Sequence, residues 1–217
     1  MSTTIMRHPD PATLMNYAAG CLAEPLAAVT AAHISMCGEC HAELAGMELL
    51  CAALLSKAEL VPIGAAMQVP CRPADVSSCE VARSLIDAGN KLPAPIAAAF
   101  QLSFETIRWK RLGPGIWHHR LPLSPGVGGD LRLLKIGPGR VMPDHGHGGS
   151  ELTLVLDGAY NDETGSYRRG DMQDVDETVE HTPVADKVTG CICLIASERP
   201  ARFKSLVGKL MQPWTGM

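Results

Sequence analysis

At 217 residues, with 46% apolar and 19% charged side chains, the chain has room for one large domain or two small ones and the composition of a packed globular protein. Its longest stretch without Asp, Glu, Lys or Arg, Pro25 to Gly38, is 14 residues, short of the roughly 20 apolar residues of a membrane helix. Arg7 and Asp10 interrupt the N-terminus before a signal-peptide core could form, so a cytoplasmic protein is expected. The formal net charge of −4 lies in the first 60 residues, where Arg7 and Lys57 face six acidic residues, while residues 61–217 balance at 17 of each sign. An acidic segment repels phosphate, which argues against direct nucleic-acid binding and favours a basic partner surface.

In chain order, Asp10-Pro11 reads as an N-cap followed by proline in the first turn, with Leu14, Tyr17, Ala18, Cys21 and Leu22 recurring on one helical face. Glu24-Pro25 repeats the start signal ahead of Leu26, Val29, His33 and Cys37, and Leu44, Met47, Cys51 and Leu54 mark a third helix. Residues 1–55 are thus expected to form a small helical bundle, with Cys21 and Cys51 as core residues. From 56 to 104 the periodicity weakens under Pro62, Pro70, Pro73, Pro93 and Pro95, as in a linker carrying one or two helices, at Cys79 to Ala88 and Ile96 to Phe104. From 105 to 217 short runs alternate with Gly, Pro, Asn and Asp: Thr106 to Leu112, Ile116 to Leu121, Asp130 to Ile136, Glu151 to Asp157 and Val188 to Ser197. Such runs without long helices predict an antiparallel β-barrel or sandwich, and an α+β protein of more than one domain.

Two groups of residues carry chemistry. His33 and Cys37 are four apart, on one face at the end of the second helix, and Gly38 permits a turn that returns Cys40 to the same point. A Cys-x-x-Cys turn with two imidazoles is a tetrahedral zinc set, and His8, just before the first helix, is the candidate fourth ligand, in competition with His41, which is strained by adjacency to Cys40. A redox reading of the cysteines lacks the preceding strand that such a motif wants. Farther on, His145 and His147 are two apart, so a strand aims both to one side, and a Gly148-Gly149 turn can bring Glu151 toward them. His181 is the candidate fourth ligand. Three imidazoles and a carboxylate suit zinc, iron, manganese, nickel or copper. Cys191 and Cys193 read as strand core, and His118 and His119 are given no role.

The stretch Leu14-Met-Asn-Tyr-Ala-Ala-Gly20 followed by His33-x-x-x-Cys37-x-x-Cys40 resembles the zinc-binding anti-sigma domain of bacterial regulators of extracytoplasmic-function sigma factors. The resemblance implies zinc on His8, His33, Cys37 and Cys40 and a helical module that holds a sigma factor away from RNA polymerase. Gly139 to Gly158, with its His-x-His and Glu, resembles the first motif of the cupins, small jelly-roll barrels with a metal in the mouth. Gly170 and His181 take places in the second motif, where Asp176, Thr178 and Ala185 replace the usual proline, glycine and asparagine.

Taken together, Val141 to His147, Glu151 to Leu156, Glu180 to Val184 and Cys191 to Leu194 make the whole similar to the ChrR-type anti-sigma factors, a zinc anti-sigma domain followed by a cupin-like domain. The family implies capture of the sigma factor by the first module and a response of the second, holding a divalent metal such as zinc, iron, manganese or nickel, to singlet oxygen or peroxide. The alternative is a metal-dependent cupin enzyme, a dioxygenase or isomerase, with a helical appendage. The acidic zinc module, which an enzyme does not need, decides for the regulator.

Overall fold

The structure is a computed structural model that describes residues 4–57, 91–199 and 202–203. Among these residues are four helices: α1 (Pro11–Ala18), α2 (Glu24–Ile34), α3 (Gly38–Leu55) and α4 (Ala94–Phe100). Asp10 caps α1, its Oδ1 accepting the Ala12 N–H at 2.8 Å, and Pro11 sits where no intrahelical donor is lost. α2 opens on Glu24-Pro25 in the same way. Cys37, in extended backbone, makes the turn out of α2 and caps α3 through its own sulfur, which accepts the Cys40 N–H at 3.5 Å. Gly38 therefore begins α3 rather than forming the turn. The helix expected at Cys79 to Ala88 lies outside the described residues. The one expected at Ile96 to Phe104 stops at Phe100, because Gln101 takes a left-handed conformation at φ 50°.

The β-part contains β1 (Lys110–Gly113), β2 (Ile116–Arg120), β3 (Asp130–Ile136), β4 (His145–Gly146), β5 (Glu151–Asp162), β6 (Gly165–Arg168), β7 (Met172–Val175), β8 (Glu180–His181), β9 (Val184–Ala185), β10 (Cys191–Ser197) and β11 (Arg202–Phe203). Every pairing among these strands is antiparallel. The larger sheet runs β1-β2-β3-β10-β5-β6, with β7 and β9 also on β5, and the smaller runs β11-β4-β8. β5 is longer than its apolar run suggests because it serves two sets of partners, β7 and β10 with its first half and β6 and β9 with its second. The change happens at Gly158, φ 71°, just past a bulge in β5, where Leu156 falls between the pairs Val155–Cys193 and Asp157–Ile192; a side chain at 158 would run into the Gly190 carbonyl.

One core joins helices to sheet. Leu26, Val29 and Ala32 of α2 are buried together with Ile96 of α4 and with Leu133, Leu154 and Leu194 of the larger sheet. Burying side chains of this kind contributes about 1.5–3 kcal/mol each. A smaller core under α1 and α3 holds Leu14, Ile34, Cys37 and Cys40. Three apolar expectations fail here. Cys21 follows the end of α1 and is exposed. Along α3, Leu44 and Met47 pack partly buried against the smaller core, but Cys51 is only half-buried outside it and Leu54 is 62% exposed. The apolar stripe of α3 is thus real, but toward its C-terminal end it has no partner among the described residues.

Candidate metal centres

The end of α2, the Cys37 turn and the first turn of α3 bring His33, Cys37 and Cys40 together, and the extended segment before α1 adds His8. The four ligand atoms lie within 4.8 Å of one another. His33 Nε2 is 3.3 Å from Cys40 Sγ, and His8 Nδ1 is 3.3 Å from Cys40 Sγ and 3.5 Å from Cys37 Sγ. Ligand bonds of about 2.0–2.3 Å in a tetrahedron require edges of about 3.3–3.8 Å, so the residues fit a zinc-sized ion. His41 is exposed and outside the group. His33 Nδ1 donates to the Gly170 carbonyl at 3.0 Å, which fixes the tautomer and leaves Nε2 facing the thiols. Burial, followed by the His8 charge, lowers the His33 pKa to about 4 against the pull of Gly170 and Asp171. Burial and the neighbouring Cys37 push the Cys40 thiol up to about 12. Both groups are neutral at pH 7 until a cation displaces the thiol proton.

The second group gathers His145 and His181 from the smaller sheet, His147 just after β4 and Glu151 at the start of β5, all four buried. His145 Nε2 and His181 Nε2 are 3.3 Å apart, and His147 Nδ1 is 3.2 Å from Glu151 Oε2. Neither ring nitrogen of His147, which is 2% exposed, makes an aligned hydrogen bond among the described residues. A buried imidazole whose one polar contact is a misaligned carboxylate is costly, and an ion at the centre of the group removes that cost. Burial raises the Glu151 pKa, but contact with His147 and the charges of the three imidazoles outweigh it and hold the carboxyl below its usual range. The donor set accepts several divalent metals and does not choose among them.

Sequence reasoning missed the residues that orient this group. His145 Nδ1 donates to the Pro143 carbonyl at 2.9 Å, and His181 Nδ1 donates to Asp162 Oδ2 at 2.8 Å, so each presents Nε2. Asp162 also accepts from Thr164 and, at 2.7 Å, from Gln173 Nε2, whose Oε1 accepts the Tyr160 hydroxyl at 2.8 Å. Burial works against the Asp162 charge, yet these hydrogen bonds keep its pKa well below the carboxylate range. The carboxylate-imidazole pair is the usual support of a metal-bound histidine; the signal available in the sequence was only an Asp near the end of an apolar strand. The group opens on a cavity of about 260 Å3, lined on one side by Leu134, Ile136, Met142 and Ile195 and containing the buried Arg132 paired with Asp130. Cys191 and Cys193 are buried in the sheet, as expected, with Cys193 reaching the cavity wall.

Two thiols and two imidazoles gathered by short helices, set against an antiparallel domain with a second, thiol-free candidate group, define a helical module with a candidate metal site joined to a cupin-like domain. A family model described as the ChrR cupin-like domain matches residues 98–200. Along almost the whole chain the protein is 38% identical to the anti-sigma-E factor ChrR of Cereibacter sphaeroides, over 213 residues that cover 97% of this chain and 98% of that protein. It is also similar to ChrR in the crystal structure of Rhodobacter sphaeroides SigE in complex with that anti-sigma factor, at 38% identity and a TM-score of 0.73, covering 89% of this chain and 99% of the other. The chain belongs to the ChrR family of anti-sigma factors. That is a family of regulators, which sets aside the cupin-enzyme alternative. No helix among the described residues is long and apolar enough to cross a membrane.

Proposed function

We propose that this protein captures an extracytoplasmic-function sigma factor through residues 1–55, organised by zinc on His8, His33, Cys37 and Cys40, and releases it when an oxidative signal, singlet oxygen or a peroxide, acts on the domain at 105–217. The remaining segment, 56–104, connects the two. His145, His147, Glu151 and His181 hold a second divalent metal there, zinc or else iron, manganese or nickel. On this reading the protein is cytoplasmic, where a sigma factor meets RNA polymerase. The reading rests on the end-to-end match to a ChrR chain solved with SigE, in a sequence that keeps both ligand groups together in space. The surface of α3 agrees with it: Leu49, Leu50, Leu54 and Leu55 are 53–74% exposed beside the exposed acids Glu39, Glu43 and Glu48. An apolar patch of that kind marks a docking site, and its acidic rim complements a basic partner.

Coexpression with a sigma factor of this class from the same genome tests the reading. A stoichiometric complex is expected for the wild type, and Cys37→Ser is expected to lose one of two bound metals and the complex with it. A complex that forms equally well with Cys37→Ser would remove zinc from the explanation. Recovery of no complex with any such sigma factor would remove the function.

A further inference from the structure

The short strand β7 lies between the two ligand groups and touches the supports of both. Its side chains alternate, as in any strand. On the helical side, Asp174 Oδ2 accepts the Asp10 N–H at 3.0 Å and the Thr13 hydroxyl at 2.7 Å. On the cavity side, Gln173, 2% exposed, holds Asp162, the carboxylate that orients His181. The turn leading into β7 goes further. Asp171, 1% exposed, uses Oδ1 to accept the N–H groups of Met6 and Arg7, at 2.7 and 3.1 Å, and Oδ2 to accept the Arg168 N–H at 3.0 Å. The Met172 N–H returns a hydrogen bond to the Arg7 carbonyl at 3.0 Å, directly before His8. Next to Asp171, the Gly170 carbonyl holds His33. Gly170 has φ 92°, and a Cβ there would come within 2.7 Å of the Ile5 side chain, so glycine alone lets the N-terminal segment cross the turn this closely.

We propose that residues 170–174 position two ligands of the N-terminal metal site and, through Gln173, couple that site to the metal group of the cupin-like domain. Asp171 and Gly170 set the place of His8 and the orientation of His33. A displacement of the Asp162–His181 pair reaches them along one strand of four residues. Asp171 and Gln173 are positioning residues and touch no metal themselves. The inference deepens the regulatory reading and rests on both groups being metal sites.

The test uses the full-length protein loaded with cobalt(II), whose thiolate charge-transfer absorption reports the N-terminal group, the one of the two with cysteine ligands. Loss of that band to excess chelator gives a release rate. Asp171→Asn and Gln173→Met are each expected to speed release by at least about tenfold, the usual effect of removing an outer support of a metal ligand. The effect of Gln173→Met matters most, because that side chain faces the other group. Glu151→Gln is expected to speed the same band's loss in the wild type and to add little in Asp171→Asn, since the link is already cut. Circular dichroism and melting establish folding, and Asp174→Ala, at a half-buried position, gives a change in the same direction should either variant fail to fold. Wild-type release rates in folded Gln173→Met and Asp174→Ala would overturn the coupling and leave the sigma-factor reading intact. Absence of the thiolate band from the wild type would overturn both.

Discussion

Cys40 and His33 are displaced in opposite directions from their ordinary proton affinities by the same cause, burial, which favours the neutral form of each. The consequence for metal binding has a definite sign. A metal needs the Cys40 thiolate, so one proton leaves on binding, and protons compete more strongly as pH falls. With the thiol pKa at about 12, affinity is expected to drop about a hundredfold from pH 8 to pH 6 for this proton alone. His33 adds nothing in that window, because with a pKa of about 4 it is already neutral. Competition with a chelator of known affinity at the two pH values measures the slope, and a flat profile would mean that Cys40 is no ligand. At the second group the deciding atom belongs to Asp162. Asp162→Asn removes the charge that orients His181 and is expected to weaken metal binding there by about 10- to 100-fold while leaving the thiolate group loaded. Metal analysis after dialysis against a chelator separates the two sites.

At the level of elements, α3 and α2 divide labour in a way their sequences partly announce. α3 carries Leu49, Leu50, Leu54 and Leu55 outward, and paired substitution of Leu50 and Leu54 by Ser is expected to change unfolding free energy by no more than about 0.5 kcal/mol per site. Sigma-factor binding should weaken by about 2 kcal/mol or more if these side chains sit at the centre of the contact. Calorimetry of the complex beside a melting curve of the free protein checks both halves, and normal affinity with normal stability would place the contact elsewhere. α2 behaves in the reverse way. It has a single charged residue, Glu24, and belongs to the longest uncharged run in the chain, the pattern of a helix covered on several sides. The helix starts were legible because Asp10-Pro11 and Glu24-Pro25 act locally on the next few residues. The two-residue strands β4, β8 and β9 were not legible, because nothing within two residues distinguishes a strand from a loop; their partners, which are 36 residues away for His145 and His181, make them strands.

Across the whole molecule, the sharing of one core by α2 and the larger sheet predicts that the helical and β parts unfold together. Leu26→Ala, at a side chain 2% exposed, is expected to cost about 2–5 kcal/mol. Far-UV dichroism, weighted to helix, and the fluorescence of Trp109 and Trp117 in the β part should shift by the same denaturant increment. A shift confined to the helical signal would show two independent units. Asp10, Glu24, Glu39, Glu43 and Glu48, by contrast, are exposed, and on the proposed reading they steer a basic partner toward α3 in a manner that added salt should slow.

By itself the sequence determined the starts of α1 and α2, the division between a helical beginning and a β-rich end, and the membership of both candidate ligand groups, because each depends on neighbours a few residues apart: four between His33 and Cys37, two between His145 and His147, four between His147 and Glu151. Even His8 and His181, the two distant members, were reachable because a ligand set must be completed. Only the tertiary structure decided which residues stand behind the ligands. Asp162, Asp171 and Gln173 carry no motif in their own stretches, and they acquire a role when β5, β6 and β7 bring them against His181 and the backbone before His8; Gly170 has its place in a motif, but only the fold sets its carbonyl against His33. Hydrogen bonds across more than 100 residues of chain leave no periodicity in it, and the burial that makes them strong exists only once the core has closed.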